Sequence, residues 1–386
     1  MINSKRVLAA ALVAALGLTA AACGDDDDEA TTETEATGAT TPTATEPTEP
    51  TATQPTGTEP TATEPTGTEP AGTTPSDVNL NVGLLFDVTG RGDKSFNDAA
   101  AAGLDQAVEE FGITASESTP TGDADRAERL DGLISQDNGL VIGVGFLWGD
   151  AITAGATANP DTSFAIVDSV VDLPNVASLV FAEEQGSFLV GVAAALKSQT
   201  GTVGFIGGVE NDLIKKFEAG FVAGATAANP DIEVLVNYIS QPPDFSGFND
   251  PAKGKEIAAA QYGAGADVIY SAAGGSGLGA FEAAREAGAP GEVWAIGVDS
   301  DQYNLVSADL QPYILTSMLK RVEVAVYETV KAYAEGSFSA GVQVFDLAAD
   351  GVGYSATGGF IDDIADQIDD YAEQIKSGEI EVPTAP

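Results

Sequence analysis

Apolar positions along this chain follow two alternating spacings. Residues 79–86 run Asn-Leu-Asn-Val-Gly-Leu-Leu-Phe, a nearly continuous apolar stretch ending at Asp87, and predict a buried strand. Over residues 95–111 the apolar or small side chains Phe96, Ala99, Ala100, Gly103, Leu104, Ala107, Val108 and Phe111 recur at helical spacing, with Asp105, Glu109 and Glu110 facing outward. That is one βα unit. The succession repeats, with strands predicted at 139–147, 163–167, 203–207, 233–239, 267–273 and 293–298. Helices are predicted from about residue 150, from about residue 213, and over 252–262 and 278–287. Alternation of this kind predicts an α/β fold of parallel sheets flanked by helices.

An internal echo points to two lobes. Asn159-Pro160-Asp161 precedes the strand at 163, and Asn229-Pro230-Asp231 precedes the strand at 233. In both places proline stops a helix, because it lacks an N–H and disfavours helix in the residue before it. The echo predicts two sheets of similar build, about 70 residues out of register, with a cleft between them. Open α/β sheets take ligands at the C-terminal ends of their strands.

The first 77 residues follow neither spacing. Lys5 and Arg6 precede an apolar run over 7–22 and then Cys23, the order of a signal peptide. A run of sixteen residues with Gly17 and Thr19 inside it falls short of the roughly 20 apolar residues that a spanning helix needs. Ala20-Ala21-Ala22-Cys23 is similar to a bacterial lipobox, with Ala20 where Leu is usual, which places cleavage after residue 22 and a lipid on Cys23. From 23 to 77 the acidic run Asp25 to Asp28 gives way to Thr-Glu-Pro repeats without Lys or Arg, a composition that cannot bury a core and predicts a disordered tether. Its reach as a coil is roughly 40 Å. The expected location is the extracytoplasmic face of a bacterial cell membrane, held through the lipid alone.

Charge and composition narrow the chemistry. The 386 residues carry 16 Lys and Arg against 59 Asp and Glu, a net −43, a field that repels nucleic acid. With no His and one Cys, the chain has no Ser-His-Asp triad, no His-ligated zinc and no internal disulfide. No nucleophile–base pair stands out, and the expectation is a binding protein without cofactor or metal.

The strand ends supply the candidate site. The first is followed by Asp87-Val-Thr-Gly-Arg-Gly-Asp93-Lys-Ser95-Phe96-Asn97-Asp98, in which Ser95 and Asp98 match a capping box. Capping does not account for Phe96 and Asn97. Later strand ends bring Phe146 and Trp148, then Asp168, the run Gly274-Gly275-Ser-Gly-Leu-Gly279, and Asp299. The glycines do not make G-x-G-x-x-G and no Walker Lys follows, so a dinucleotide or P-loop site is rejected. Lys320, set among apolar neighbours in a chain this acidic, is expected beside a carboxylate, Asp299 being one possibility.

Ordered segments then point to a family. Gly92-Asp-Lys-Ser-Phe-Asn-Asp98, Phe164-Ala-Ile-Val-Asp168, Phe217-Glu-Ala-Gly-Phe221, Phe248-Asn-Asp-Pro-Ala-Lys-Gly-Lys255, the run from Asp267 to Gly279, Ile296-Gly-Val-Asp-Ser-Asp-Gln302 and Leu315-Thr-Ser-Met-Leu-Lys-Arg321 resemble the basic membrane protein family of substrate-binding lipoproteins. The resemblance implies a two-lobed type I periplasmic-binding-protein fold, each lobe a parallel sheet flanked by helices, with the ligand in the interlobe cleft. Residues 78–183 would open lobe 1, 184–312 form the main part of lobe 2, 313–336 return to lobe 1, and 337–386 complete lobe 2 and the tail.

It further implies a monomer that captures a purine nucleoside and hands it to an ABC permease. A purine needs aromatic plates, for which Phe96, Trp148 and Phe248 are candidates, and fixed polar groups, for which Asn97 suits a base edge. By resemblance Asp299 accepts from the ribose and Lys320 is a charged donor, while Asp87, Asp93, Asp168, Gly274 and Gly275 complete the expected site. The segment 241–247 looks like an insertion, so that Phe245 is an alternative to Phe248. Riboflavin or another ring-bearing or sugar-like metabolite would use the same groups. A nucleoside hydrolase, with Asp87, Asp93 and Asp98 as a Ca²⁺ loop, and a sensor lipoprotein without a transporter are the other classes.

Overall fold

A computed structural model of the chain describes residues 79–386; the predicted signal peptide, Cys23 and the tether lie outside the described residues. The chain lays down β1 (Asn81–Leu85), α1 (Phe96–Phe111), β2 (Thr114–Ser118), α2 (Arg126–Ile134), β3 (Leu140–Gly143), α3 (Gly149–Ala158), β4 (Ser163–Val167) and β5 (Val176–Phe181). It continues through α4 (Glu183–Lys197), β6 (Thr202–Val209), α5 (Asp212–Ala228), β7 (Glu233–Ser240), α6 (Pro251–Gly263), β8 (Val268–Ala272), α7 (Leu278–Ala287), β9 (Trp294–Asp299) and β10 (Ile314–Lys320). Last come α8 (Val322–Ala334), β11 (Gly341–Phe345), β12 (Val352–Tyr354) and α9 (Ala365–Lys376).

The strands form two six-stranded sheets, β11-β5-β4-β3-β1-β2 and β12-β10-β9-β8-β6-β7, parallel except for β12, which runs antiparallel to β10. This is a two-lobed α/β fold. The inner strands β3, β8 and β9 are buried along their whole length, as apolar runs covered by helices on both faces must be. The polar edge strand β2 (Thr-Ala-Ser-Glu-Ser) is half exposed. Among the described residues no helix is long and apolar enough to cross a membrane.

The two sheets share one strand order, so β1, β3, β4 and β5 correspond to β6, β8, β9 and β10. The Asn-Pro-Asp echo does not mark this repeat. Its first copy joins α3 to β4 and its second joins α5 to β7, which are different positions in the two lobes. The motif is a local helix stop: the Asn159 and Asn229 amides close α3 and α5 on Gly155 and Ala225.

The expected partition also shifts. The chain crosses between lobes after β5, after β10 and after β11. Because β10 pairs with β9, the return to lobe 1 begins after Lys320, where α8 packs on α1, and not at residue 313. Gly103 makes that packing possible, since a Cβ there would lie 2.2 Å from the Glu323 carbonyl oxygen. Likewise β11 belongs to the first sheet, beside β5, so the second lobe is completed only from β12 onward.

Candidate functional site

The C-terminal ends of β1, β3 and β4 in one lobe face those of β8, β9 and β10 in the other. Between them lies a cleft enclosing about 610 Å³ of empty space counted out into the solvent at its mouth. Asp87, Asp93, Phe96, Asn97 and Asp168 line it from the first lobe, and Phe248, Gly274, Gly275, Asp299 and Lys320 from the second. All were expected from the sequence. Phe146 and Phe217 line it as well. Phe217 was not singled out for the site because, on a helix at core spacing beside Leu213 and Ile214, it reads as packing.

Trp148 does not belong to the cleft. It is fully buried in the first lobe, where Nε1 donates to the Phe86 carbonyl at 3.1 Å. Its ring lies 4.9 Å from the Arg126 guanidinium, which in turn pairs with Asp87 at 2.9 Å. Phe146 and Trp148 sit on one short 3₁₀ turn, and the turn points the first toward the ligand space and the second inward.

The loop before α1 is capped differently from expectation. The Asp93 carboxylate accepts from the amides of Ser95 (3.0 Å), Asn97 (2.8 Å) and Asp98 (3.1 Å), while Asp98 accepts from Gly92 (2.7 Å) and Lys94 (2.9 Å). Ser95 makes no cap bond with its side chain; Oγ reaches across the cleft to the Asp299 carboxylate and the Val298 carbonyl. Two further bonds tie the lobes there, Ser300 Oγ to the Ser95 carbonyl at 3.1 Å and Gln302 Nε2 to the Lys94 carbonyl at 2.9 Å. Asn97 is held inside its own lobe. Its Oδ1 accepts from the Asp87 amide (2.8 Å) and its Nδ2 donates to Thr89 (2.7 Å) and Asp93 (2.9 Å).

Lys320 has carboxylate neighbours, though not the one named in advance. Its Nζ lies 2.7 Å from both oxygens of Asp168 and 3.2 Å from Glu183, beneath the rings of Phe96 (5.2 Å), Phe181 (5.0 Å) and Phe217 (5.6 Å). Burial opposes its charge, but Asp168, Glu183 and Asp299 overcome that and raise its pKa. Asp168 and Asp299 stand at corresponding strand ends, each with a left-handed backbone at φ 65°. Burial, reinforced by Glu183 and opposed by Lys320, pushes Asp168 up to about 6. Burial likewise pushes Asp299 up to about 7, against Lys320 and the Ser95 bond. Asp93 is also raised, burial outweighing the amides it accepts from.

Phe248, rather than Phe245, faces the ligand space. Phe245 instead packs edge-on against Phe146 of the opposite lobe. Gly274 turns the chain at the end of β8 with a left-handed backbone at φ 53°, and Gly275 follows it beneath the Phe248 carbonyl, where a Cβ on either would make only ordinary contact at 3.4–3.5 Å. Asp87, Asp93 and Asp98 serve separate partners, and among the described residues no group of three His, Cys, Asp or Glu side chains is placed to hold a metal ion.

Comparison with known proteins bears on the family and the fold. Residues 80–385 match the family described as Bmp, ABC transporter substrate-binding protein PnrA-like. The chain is 35% identical to the CD4+ T-cell-stimulating antigen of Listeria monocytogenes, covering 81% of this chain and 90% of that one. It is also 35% identical to the ABC transporter nucleoside-binding protein BmpA of Lactococcus lactis, over 79% and 90% of the two chains. Among solved structures, an ABC transporter solute-binding protein from Aeropyrum pernix superposes with a TM-score of 0.70 at 31% identity, covering 79% of this chain and 93% of that one.

Proposed function

Since the chain belongs to the Bmp family of ABC transporter substrate-binding proteins, we propose that it captures a nucleoside by closure of its two lobes and delivers it, from a lipid anchor at Cys23, to an ABC permease. The observation that carries this reading is the wall of the cleft. Phe96 and Phe146 come from one lobe and Phe217 and Phe248 from the other, around two buried strand-end carboxylates. Aromatic faces suit a flat, uncharged base, and each stacked ring contributes about 1–3 kcal/mol. Asp299 suits a ribose hydroxyl as acceptor, and Asn97 holds Asp87 and Asp93 in place while its Oδ1 keeps one lone pair for a base edge.

A nucleotide fits poorly. Lys320 is the one basic side chain among the described residues lining the cleft, and Asp168 and Glu183 already compensate its charge. A phosphate would lack a counter-charge.

Closure follows from the same contacts. The Lys320–Asp168 pair and the Ser95–Asp299 bond each join the two lobes, so a ligand that bridges them favours the closed form and shifts the population toward it. Mass spectrometry of small molecules released on denaturing the purified protein, followed by calorimetry with inosine, guanosine, adenosine and riboflavin, tests the reading. A nucleoside released and rebound is the expected result. Heat with riboflavin alone, or with none of the four, overturns it.

A further inference from the structure

The segment between β7 and α6 stands on the open side of the cleft. β7 is the outer strand of its sheet, at the opposite edge from β12 and β10, and β10 carries a crossover between lobes. Residues that follow β7 are therefore remote from the crossovers and near the mouth. Loop 241–247 is fixed there by its own bonds. The Asp244 amide donates to the Gln241 carbonyl (2.9 Å), Ser240 Oγ to the Asp244 carbonyl (2.8 Å), the Ser246 amide to Asp244 Oδ1 (2.9 Å) and Ser276 Oγ to the Gly247 carbonyl (2.7 Å). Gly247 presses on β6 so closely that a Cβ would lie 1.9 Å from the Gly208 carbonyl oxygen. Held in this way, the loop presents a half-buried Phe245 to Phe146, with ring centroids 5.9 Å apart at 65°. Phe146 is itself a wall of the cleft. The contact joins the lobes and exists only while they are closed together.

We propose that Phe245 is a specificity-determining gate: shut against Phe146 at the cleft mouth, it denies room to any ligand whose tail projects beyond the aromatic walls. The probes rest on the nucleoside reading above, whereas the gate's movement does not. An edge-to-face pair of this kind is worth enough to shift the closed population several-fold, and a projecting tail must break it to bind.

Two measurements decide it. Affinities for adenosine are compared with those for two neutral tailed derivatives, one alkylated at N6 and one carrying an alkylthio group at the 5′ carbon, in wild type and Phe245→Ala. The derivative whose tail points to the mouth should gain about tenfold relative to adenosine in the variant. Separately, spin labels at Glu109→Cys and Asp231→Cys, in a chain with Cys23→Ser, report the interlobe distance without ligand. Phe245→Ala should lengthen and broaden it, Phe146→Ala should do the same, and the double variant should add nothing, because both remove one contact. If adenosine binds and neither tailed compound gains, the gate is overturned. If adenosine does not bind wild type, the nucleoside reading falls and the distances alone decide: unchanged in Phe245→Ala, they overturn the gate as well.

Discussion

Replacing Asp299 with Asn separates its charge from its shape. The carboxyl is buried, accepts from Ser95, and is pushed up from the usual 3.8 to about 7, burial being the largest cause. Between those values the folded protein holds a proton that the unfolded chain has released. The stability this contributes is therefore complete below about pH 4 and is lost as pH rises through 7. At 1.36 kcal/mol per unit, a rise of about 3 units is worth up to about 4 kcal/mol between pH 4 and pH 8. Asn keeps the volume, tolerates the left-handed backbone at φ 65°, and leaves an oxygen to accept from Ser95.

The assay is urea unfolding of wild type and Asp299→Asn from pH 5 to pH 8. Asp168, pushed up to about 6, slopes in the same direction and is present in both proteins, so the difference between the curves reports position 299 together with its charge coupling to Asp168. With the protonated carboxyl taken as equivalent to the amide, the variant should be the more stable by about 1.6 kcal/mol at pH 5, the gap widening up to pH 7 and levelling off at about 4 kcal/mol by pH 8. Parallel curves across the range would refute the argument, since Asp299 would then carry the same charge throughout. Under the proposed ribose contact, the variant should also bind nucleoside more weakly at pH 8, because a carboxylate accepts more strongly than an amide.

Lys320→Met should cost about 3–5 kcal/mol of stability at pH 8 in denaturant melts, because Asp168 and Glu183 are left buried without their shared cation. Trp148→Phe should lower stability by about 1–3 kcal/mol through the lost bond to Phe86 and the space it leaves. Its effect on nucleoside affinity in calorimetry should be far smaller than that of Phe248→Ala, which removes a ring from the cleft wall. Gly224→Ala places a Cβ 2.0 Å from the Phe188 carbonyl oxygen, so α4 and α5 must separate and the melting midpoint fall. A Gly224→Ala protein with an unchanged midpoint would show that these helices do not pack as described.

The alternation of apolar runs and helical stripes was readable because the inner strands are buried on both faces. The strand at 163–167 and the helix at 278–287 match their observed bounds. β2 and β11 were not readable, since Thr-Ala-Ser-Glu-Ser and Gly-Val-Gln-Val-Phe lie at sheet edges and carry exposed side chains. α4 hid for the opposite reason: it is buried almost all round, including Glu183, and shows little amphipathic pattern. At the cleft, the rule that ligands meet strand ends found Asp87, Asp168, Asp299 and the glycines. It did not find the partner of Lys320, because Asp168 lies 152 residues away in the other lobe. Nor does spacing give the phase of a three-residue turn, which is why Trp148 was preferred to Phe146. Ser95 and Asp98 had the spacing of a capping box, yet Lys94, at φ 55°, turns the chain so that Asp93 reaches the amides first.

The repeat between the lobes accounts for how an acidic site can close. Corresponding strands β4 and β9 end in Asp168 and Asp299 with the same backbone, so the duplicated framework brings two carboxylates to one cleft, where burial raises both. Strict symmetry would leave them to repel each other. The symmetry is broken one strand over: β5 ends in Phe181 and β10 in Lys320, at matching positions in the two ladders, and the ring of the first lies 5.0 Å from the cation of the second. The cation sits against Asp168 and not against Asp299. Asp168 is thus consumed in holding the lobes together, and Asp299 is left as the carboxyl that lacks a cation in contact and has acceptor capacity to spare. The sidedness of the site follows from that exchange of Phe for Lys. Charge reversal of the pair, Asp168→Lys with Lys320→Asp, should restore closure yet move the cation toward the first lobe, changing nucleoside affinity while leaving the interlobe distance close to that of wild type.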